Sequence, residues 1–509
     1  MRKLLLIILV SILVQSCNEK FDGIKIAGKA INADQGYVLL AHQPLYRGNL
    51  NFDDFKSVAD KIDDKGNFSL SSEKAIDGAC YWLQVKDRSF RLILFNGDDI
   101  TLEFDVNDMK NTLTAKGKGA GKINVLCLPQ FDTKLRFNAD YTLDSYKAKV
   151  DSTIHAQEAL LEVIYQQDLK SDLLQSAENK QSITNIINET PLSDKEYQFL
   201  KKKIAIQDIY YLGDFISYFS RQDLADKSFV DFSRSYFECF NHDRYAMIDN
   251  INCWQFEDCV GKILKMEYLK SIQKDSAQLT YNNFRIKDYA GYRKWQFDHA
   301  KDFLSQEVYD AYYGSLLVNG LTMGKLHKEL HESYKAGCVN EKYLSRIDGF
   351  NELLNNGVSD EAFGLDTDEN ELNAQKLDAL LKDNSGSNVY VTVWSAQFAG
   401  AFLISQLPAN IDFAKEHQDE MKFLNICVDR QKNKGLWAAR IIDNNWKGNH
   451  YFIPVENNDS LLHRFAAEHI SSFCDGGVTY SFIDKMGDIT NGVEAPILMS
   501  EEKMNGYFE

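Results

Sequence analysis

The chain has 509 residues, enough for two or three domains, and its 44% apolar and 26% charged content is that of an ordinary globular protein. Its 57 basic and 74 acidic residues give a net charge of −17. That excess disfavours nucleic acid as a partner, because phosphate backbones demand basic patches. The sequence has no Walker loop, no Gly-x-Gly-x-x-Gly and no Gly-x-Ser-x-Gly, and its six prolines are too few for long disordered linkers.

In chain order, residues 1–16 read as a targeting segment. Arg2 and Lys3 precede an apolar run from Leu4 to Val14. This is the charged and then apolar pattern of a secretory signal. The run is shorter than the roughly 20 apolar residues that a bilayer span requires. Val14-Gln-Ser-Cys17 resembles a bacterial lipobox. The resemblance makes Cys17 the acylated first residue of the mature chain, whose charge is then about −19. The alternative is an ordinary signal peptide with an incidental cysteine. Residues 17–21 are the expected lipidated tether, and the expected partner there is the bilayer, on the periplasmic side.

Residues 22–118 read as an all-β, sandwich-like domain. The predicted strands are Ile24–Ile31, Tyr37–His42, Phe68–Leu70, Cys80–Val85, Phe90–Phe95 and Ile100–Phe104. Asp63-Asp-Lys-Gly66 and Asn96-Gly-Asp98 supply turns between them.

Residues 122–367 read as mainly helical. Ser193-Asp-Lys-Glu196 is a capping box that opens an amphipathic run through Tyr218. Ser305 to Ala336 is a second helical stretch, with Gly337 as its expected C-cap. Tyr211, Phe215, Tyr218 and Phe219 recur at helical spacing and read as packing core, with a ligand-stacking groove as the alternative. His327 and His331 stand one turn apart, a spacing that can hold zinc. Lys328 occupies the position where a metalloprotease needs Glu, so a solvated helix face is the expectation. No cofactor and no metal site is implied.

The most informative stretch is Val389-Tyr-Val-Thr-Val-Trp394-Ser-Ala-Gln-Phe-Ala-Gly-Ala-Phe402, a buried strand running into a helix. Around it, Glu371 to Leu381 reads as a helix and Leu381 to Asn388 as a turn. Pro408 follows as a helix-kinking residue, and Met421 to Asp429 is a second buried strand. Trp437, Gly448-Asn-His-Tyr451, Val478-Thr-Tyr-Ser-Phe-Ile-Asp-Lys-Met-Gly487 and Glu494-Ala-Pro-Ile-Leu-Met-Ser500 complete the series. In order and spacing these segments resemble the thioredoxin-like domain of TlpA-type envelope reductases. The resemblance implies a C-terminal α/β thioredoxin-like domain over residues 368–509. The run ending Leu113-Thr-Ala-Lys-Gly-Lys-Gly119 likewise resembles the close of the β domain that heads many such lipoproteins. The fold class expected is therefore multidomain α+β.

The chain departs from that family where its chemistry is done. Anchored on Trp394, the Cys-x-x-Cys positions hold Phe398 and Ala401; anchored on Pro408, they hold Gly400 and Leu403. Val478 stands where the family has a cis-proline. A non-proline cis bond costs roughly 2.5–4 kcal/mol, so a trans bond is expected there. Disulfide exchange needs one thiolate to attack and a second thiol to resolve, and neither register contains a thiol.

Besides Cys17 there are eight scattered cysteines. Cys253 and Cys259 are near enough in sequence for a local bridge, but two buried free thiols are the preferred reading. Cys427 lies inside an apolar strand and is expected to be inert. Cys474, four residues before Val478, is the fallback thiol.

The leading functional expectation is a membrane-anchored envelope lipoprotein whose redox-inactive domain binds an envelope protein or peptide. The alternative is an oxidoreductase using Cys474 alone, and a third reading makes the domain a packing module. Cys17→Ala should block acylation and move the protein from the detergent phase to the aqueous phase, or leave it unprocessed. Unchanged detergent partitioning would count against the anchor.

Overall fold

The computed structural model describes residues 23–33, 36–42, 58–85, 88–131, 143–219, 256–272, 289–322, 328–356, 369–396, 421–443, 446, 449–454 and 478–491. The architecture is mixed α/β, with sheets at the N-terminal end and helices in the middle. Among the described residues no helix is long and apolar enough to cross a membrane.

Eight strands form the first unit. They are β1 (Ile24–Ile31), β2 (Gly36–His42), β3 (Val58–Ile62), β4 (Asn67–Ser72), β5 (Ala79–Val85), β6 (Arg88–Leu94), β7 (Asp99–Asp105) and β8 (Thr114–Lys118). They pair as two four-stranded sheets, β4-β1-β7-β8 and β3-β2-β5-β6. All pairs are antiparallel except β1 with β7. In β4 and β7 buried and exposed residues alternate along the strand, the period that lets a sheet bury one face. Ile26, Leu40, Leu83, Leu94, Leu102 and Phe104 meet between the sheets. The sequence reading missed β3 and β8. Val58-Ala-Asp-Lys-Ile62 buries one residue fully and β8 also buries one, so neither carries an apolar run to detect.

Strand β5 is buried on both faces. Tyr81 and Leu83 point into the sandwich, whereas Cys80, with Ile93 and Phe95, joins a second and larger core. That core is built by the helices α1 (Ala120–Cys127), α2 (Leu143–Tyr165), α3 (Lys180–Glu189), α4 (Asp194–Phe219), α5 (Phe256–Ile272), α6 (Tyr289–His299), α7 (Gln306–Thr322), α8 (Lys328–Gly337) and α9 (Glu341–Asn356). The Ser193 capping box is formed: Glu196 Oε2 accepts the Ser193 backbone N–H at 2.9 Å and its hydroxyl at 2.7 Å.

Two expectations are corrected in this region. Ser305 to Ala336 contains two helices, α7 and α8, with residues 323–327 between them outside the described set. Gly337 ends α8 without a left-handed φ. Its carbonyl accepts from Lys301 Nζ at 2.5 Å and Gln306 Nε2 at 3.0 Å, and a Cβ on Gly337 would stand 3.0 Å from the Tyr309 hydroxyl. A Cβ there would need the ends of Tyr309 and Lys301 to give by a few tenths of an ångström. The side chains of Phe215, Tyr218 and Phe219 lie outside the described residues, while Tyr211 packs half-buried against the helical core.

The last unit is a five-stranded sheet made of β9 (Asn388–Trp394), β10 (Met421–Asp429), β11 (His450–Pro454), β12 (Val478–Ile483) and β13 (Ile489–Asn491). Its order is β11-β10-β9-β12-β13, with β9, β10 and β11 parallel and β12 and β13 each antiparallel to the preceding neighbour. Every residue of β9 is buried, as expected of the central strand of a sheet covered on both faces. Val389, Val391 and Val393 pack with Leu424, Ile426 and Leu377, the last from α10 (Ala374–Asp383). Trp394, Cys427 and Phe452 face the other way and join the large helical core, beside Trp437 of α11 (Lys434–Asp443).

The helix read from Glu371 begins later and runs through Asp383. Glu371 bridges Phe452, Asn373 Oδ1 accepts the Lys376 N–H at 2.9 Å as N-cap, and the turn before β9 is confined to Asn384–Ser387. The expected β12–β13 hairpin is formed, with Asp484 Oδ1 accepting from the backbones of Met486 and Asp488 and Gly487 at φ +89°.

The sandwich and the helices are joined through one buried cation. Lys122 on α1 is fully buried. Its Nζ donates to Asp98 Oδ2 at 2.7 Å and to the Gly119 carbonyl at 2.7 Å, and lies 3.6 Å from Glu196 Oε1. Its backbone N–H donates to the same Glu196 oxygen at 3.2 Å. Gly119 is required at the turn: its φ is +92°, and a Cβ would stand 2.1 Å from Asp98 Oδ1. Burial raises the Asp98 carboxyl above its ordinary value, although Lys122 pulls it down.

Removing the cation leaves two carboxylates buried around an apolar side chain. Lys122→Met should therefore destabilise the protein by about 3–5 kcal/mol in denaturant titrations. The loss should shrink as the pH falls and Asp98 protonates. The triple variant Lys122→Met, Asp98→Asn, Glu196→Gln should regain most of the stability, since no uncompensated charge remains.

Candidate functional site

In open α/β sheets, ligands bind outside the carboxyl ends of parallel strands. Here that edge is formed by Trp394 at the end of β9 and Asp429 at the end of β10. The start of β12 closes it from the side. Trp394 and Val478 are paired residues in the antiparallel register of β9 and β12, and Trp394 also pairs with Cys427 of β10. The sequence-predicted pair, Trp394 and Val478, is thus brought together. Trp394 is fully buried, with its ring edge-to-face on Trp446 at 5.4 Å, and Val478 is half-buried.

The turn leaving β9 is tied to the turn leaving β10 by a carboxylate. Ser395 Oγ donates to Asp429 Oδ2 at 2.8 Å. The other oxygen of Asp429 accepts from Asn433 Nδ2 and from the Arg430 backbone N–H, both at 2.7 Å. Ser395, Asp429 and Asn433 are all buried. A buried carboxylate is tolerated when several donors satisfy it, and here three do. This is a clamp: Asp429 ties Ser395, at the exit of β9, to Asn433 and the Arg430 backbone N–H, at the exit of β10.

Thiol chemistry has no footing in the described part of this edge. Cys427 is completely buried, and burial, with Asp429 adding to it, pushes its thiol well above the ordinary range. An inert thiol is what its place in the strand predicts. Among the described residues, Cys80, Cys127, Cys259 and Cys338 form no disulfide, and they lie in or beside other elements. No cis peptide bond occurs among the described residues. The bond entering Val478 begins at residue 477, outside them. Cys17, Cys253, Phe398, Gly400, Ala401, Leu403, Pro408 and Cys474 also lie outside the described residues.

His450 is a group the sequence named only as part of a motif. It opens β11, opposite Asn425 on β10, and is fully buried. Neither ring nitrogen finds a hydrogen-bond partner among the described residues, and the same is true of the indole nitrogens of Trp394, Trp437 and Trp446. Burial pulls the imidazole down to about 4. The Trp446 backbone acts in the opposite direction, but it makes no hydrogen bond to the ring.

No group of three or more His, Cys, Asp and Glu side chains that could hold a metal occurs among the described residues. His327 lies outside them. His331 corrects the expectation of a solvated face: it is buried, with Nε2 3.0 Å from Asp348 Oδ1, and Lys335 joins the same carboxylate.

No protein-family model matches the chain, and no curated protein does. Among solved structures, it is similar to a candidate thiol-disulfide oxidoreductase from Bacteroides vulgatus determined in solution. The two are 18% identical, and the match covers 25% of this chain and 75% of that one at a TM-score of 0.20. An overlap of that extent says nothing about activity.

The buried imidazole makes stability depend on pH. An unfolded His titrates near 6.5, above the folded value of about 4. The stability is therefore fully present above pH 6.5 and is lost as the pH falls through 4. Between pH 7.5 and 4.5 the loss from this group should be about 2–3 kcal/mol. His450→Phe should flatten that part of the profile in denaturant titrations at the two pH values; an unchanged slope would show that the imidazole is not held neutral.

Proposed function

We propose that residues 368–509 form a thioredoxin-like domain of the TlpA type that has lost disulfide exchange and now binds. In this reading the chain is a lipid-anchored cell-envelope protein facing the periplasm, and the lip around Trp394 and Val478 recognises an extended peptide or protein partner. One observation carries the reading: Trp394 and Val478 are register partners. The thioredoxin fold sets the active-site turn and the cis-proline loop against each other in this way. The three parallel strands flanked by two antiparallel ones support it too. So does the clamp from Ser395 through Asp429 to Asn433, which fixes the turn without a thiol. A rigid lip lowers the ordering cost of binding. The anchor at Cys17 rests on the lipobox resemblance.

The test is a disulfide-reduction assay on the purified mature protein, run beside a relative that keeps Cys-x-x-Cys. The protein should not reduce an insulin-type disulfide above the free-thiol background, and Cys474→Ser should leave the result unchanged. Turnover that disappears in Cys474→Ser would replace the binding reading with a single-thiol enzyme. Turnover that survives the substitution would place the active site elsewhere.

A further inference from the structure

A second candidate site lies far along the chain from the lip, on the β sandwich. A groove of about 1040 Å³ is lined by side chains of β6, β7, β8, α1 and α3. Ligand sites usually measure about 300–1,000 Å³, so an extended ligand has room there. On the helix side, Asn179 at the N-cap of α3 is followed at three-residue intervals by Ser182 and Asn185, a spacing that puts all of them on one face. From the sheet come Thr101 of β7 and Thr114 of β8. The half-buried ring of Phe90 lines the same groove.

Several of the amides are already fixed in place. Asn124 Oδ1 accepts the Ala115 N–H at 3.0 Å, and its Nδ2 donates to the Ala115 carbonyl at 2.8 Å and to Thr190 Oγ1 at 3.0 Å. A side-chain amide there takes the main-chain groups that an added strand would use at Ala115. Asn179 and Gln130 exchange two amide hydrogen bonds, at 2.9 and 2.8 Å. Asn185 Oδ1 accepts from Gln181 Nε2 at 2.7 Å. Among the described residues, the Asn185 Nδ2 group and the hydroxyls of Ser182 and Thr101 have no hydrogen-bond partner.

Charge does not single out a ligand. Arg91, Lys110 and Lys203 line the groove but are already engaged, Arg91 over the Trp82 ring at 4.6 Å. Lys116, Glu103 and Glu189 are exposed and of both signs. The unengaged groups are uncharged. A hydroxyl both donates and accepts, and an amide nitrogen brings two donors. Sugar hydroxyls match that mixture, and the electron-rich face of an aromatic ring suits the C–H face of a sugar ring.

We infer that the groove binds a neutral oligosaccharide. Its hydroxyls meet Ser182, Asn185 and Thr101, and one of its rings lies against Phe90. The amides held by Asn124 and Asn179 keep the walls in place, which lowers the ordering cost of binding. This site is independent of the lip around Trp394, and neither reading needs the other.

The full mature chain can be titrated calorimetrically with maltohexaose, cellohexaose, mannohexaose and chitohexaose. Hexagalacturonate and a ten-residue peptide alternating Val with Ser serve as the acidic and the peptide comparison. At least one neutral hexasaccharide should bind at least about tenfold more tightly than either comparison, with an affinity that does not change as salt is raised. The double variant Ser182→Ala, Asn185→Ala changes two exposed helix side chains to a strong helix former, so its thermal midpoint should not fall. It should weaken that hexasaccharide at least about tenfold. Thr101→Val, which keeps the side-chain shape on an exposed strand position, should weaken it as well. Cys127, half-buried in the groove, should be alkylated more slowly when the hexasaccharide is bound, as read by mass spectrometry of its peptide. Binding of none of the four neutral sugars would overturn the inference. So would equal or tighter binding of the uronide or the peptide, or an undiminished affinity in the double variant.

Discussion

The fold depends on one buried ammonium group. Lys122 sits where the sandwich meets the helices, and it is the cation for a carboxylate from each. Asp98 comes from the turn before β7 and Glu196 from the first turn of α4. An isolated ammonium in such a place would cost several kcal/mol of desolvation, and so would each carboxylate. The cost is met only when all three are assembled with their hydrogen bonds. The neighbouring choices follow from this. Gly119 lets the chain pass over Asp98, and Ser193 occupies the second oxygen of Glu196. The Phe95 ring lies 4.7 Å from the ammonium and contributes its face.

A similar logic recurs at the far end of the chain. Asp429 is the carboxylate on which the turns after β9 and β10 converge, and it has three donors around it. In both places a buried charge fixes the relation between segments distant in sequence. The apolar cores then fill around these fixed points. The larger core runs without a break from Cys80 and Ile93 of the sandwich, through the helices, to Trp394, Trp437 and Phe452 of the C-terminal sheet. The three regions are thus packed on one another through apolar surface, and stability lost at one junction is felt across it.

Much of this protein was determined by local sequence. Apolar runs between turn residues placed β1, β2, β4, β5, β6 and β7. The capping box at Ser193 opened α4 where the helix begins, and Val389 to Trp394 announced a strand buried on both faces. Trp394 and Val478 were legible as neighbours because each stands in a local motif. What remained hidden was set by distance along the chain. β3 and β8 bury too little to leave a pattern, and their strand identity comes from neighbours already in place. Lys122 and Glu196 are 74 residues apart, and Ser395 and Asp429 are 34 apart. His331 looked solvated because its partner, Asp348, lies on another helix. Local sequence sets backbone preference and the pattern of burial. Only the closed tertiary structure decides which charge meets which, because a buried ion takes its partner from whatever the fold brings within hydrogen-bond reach.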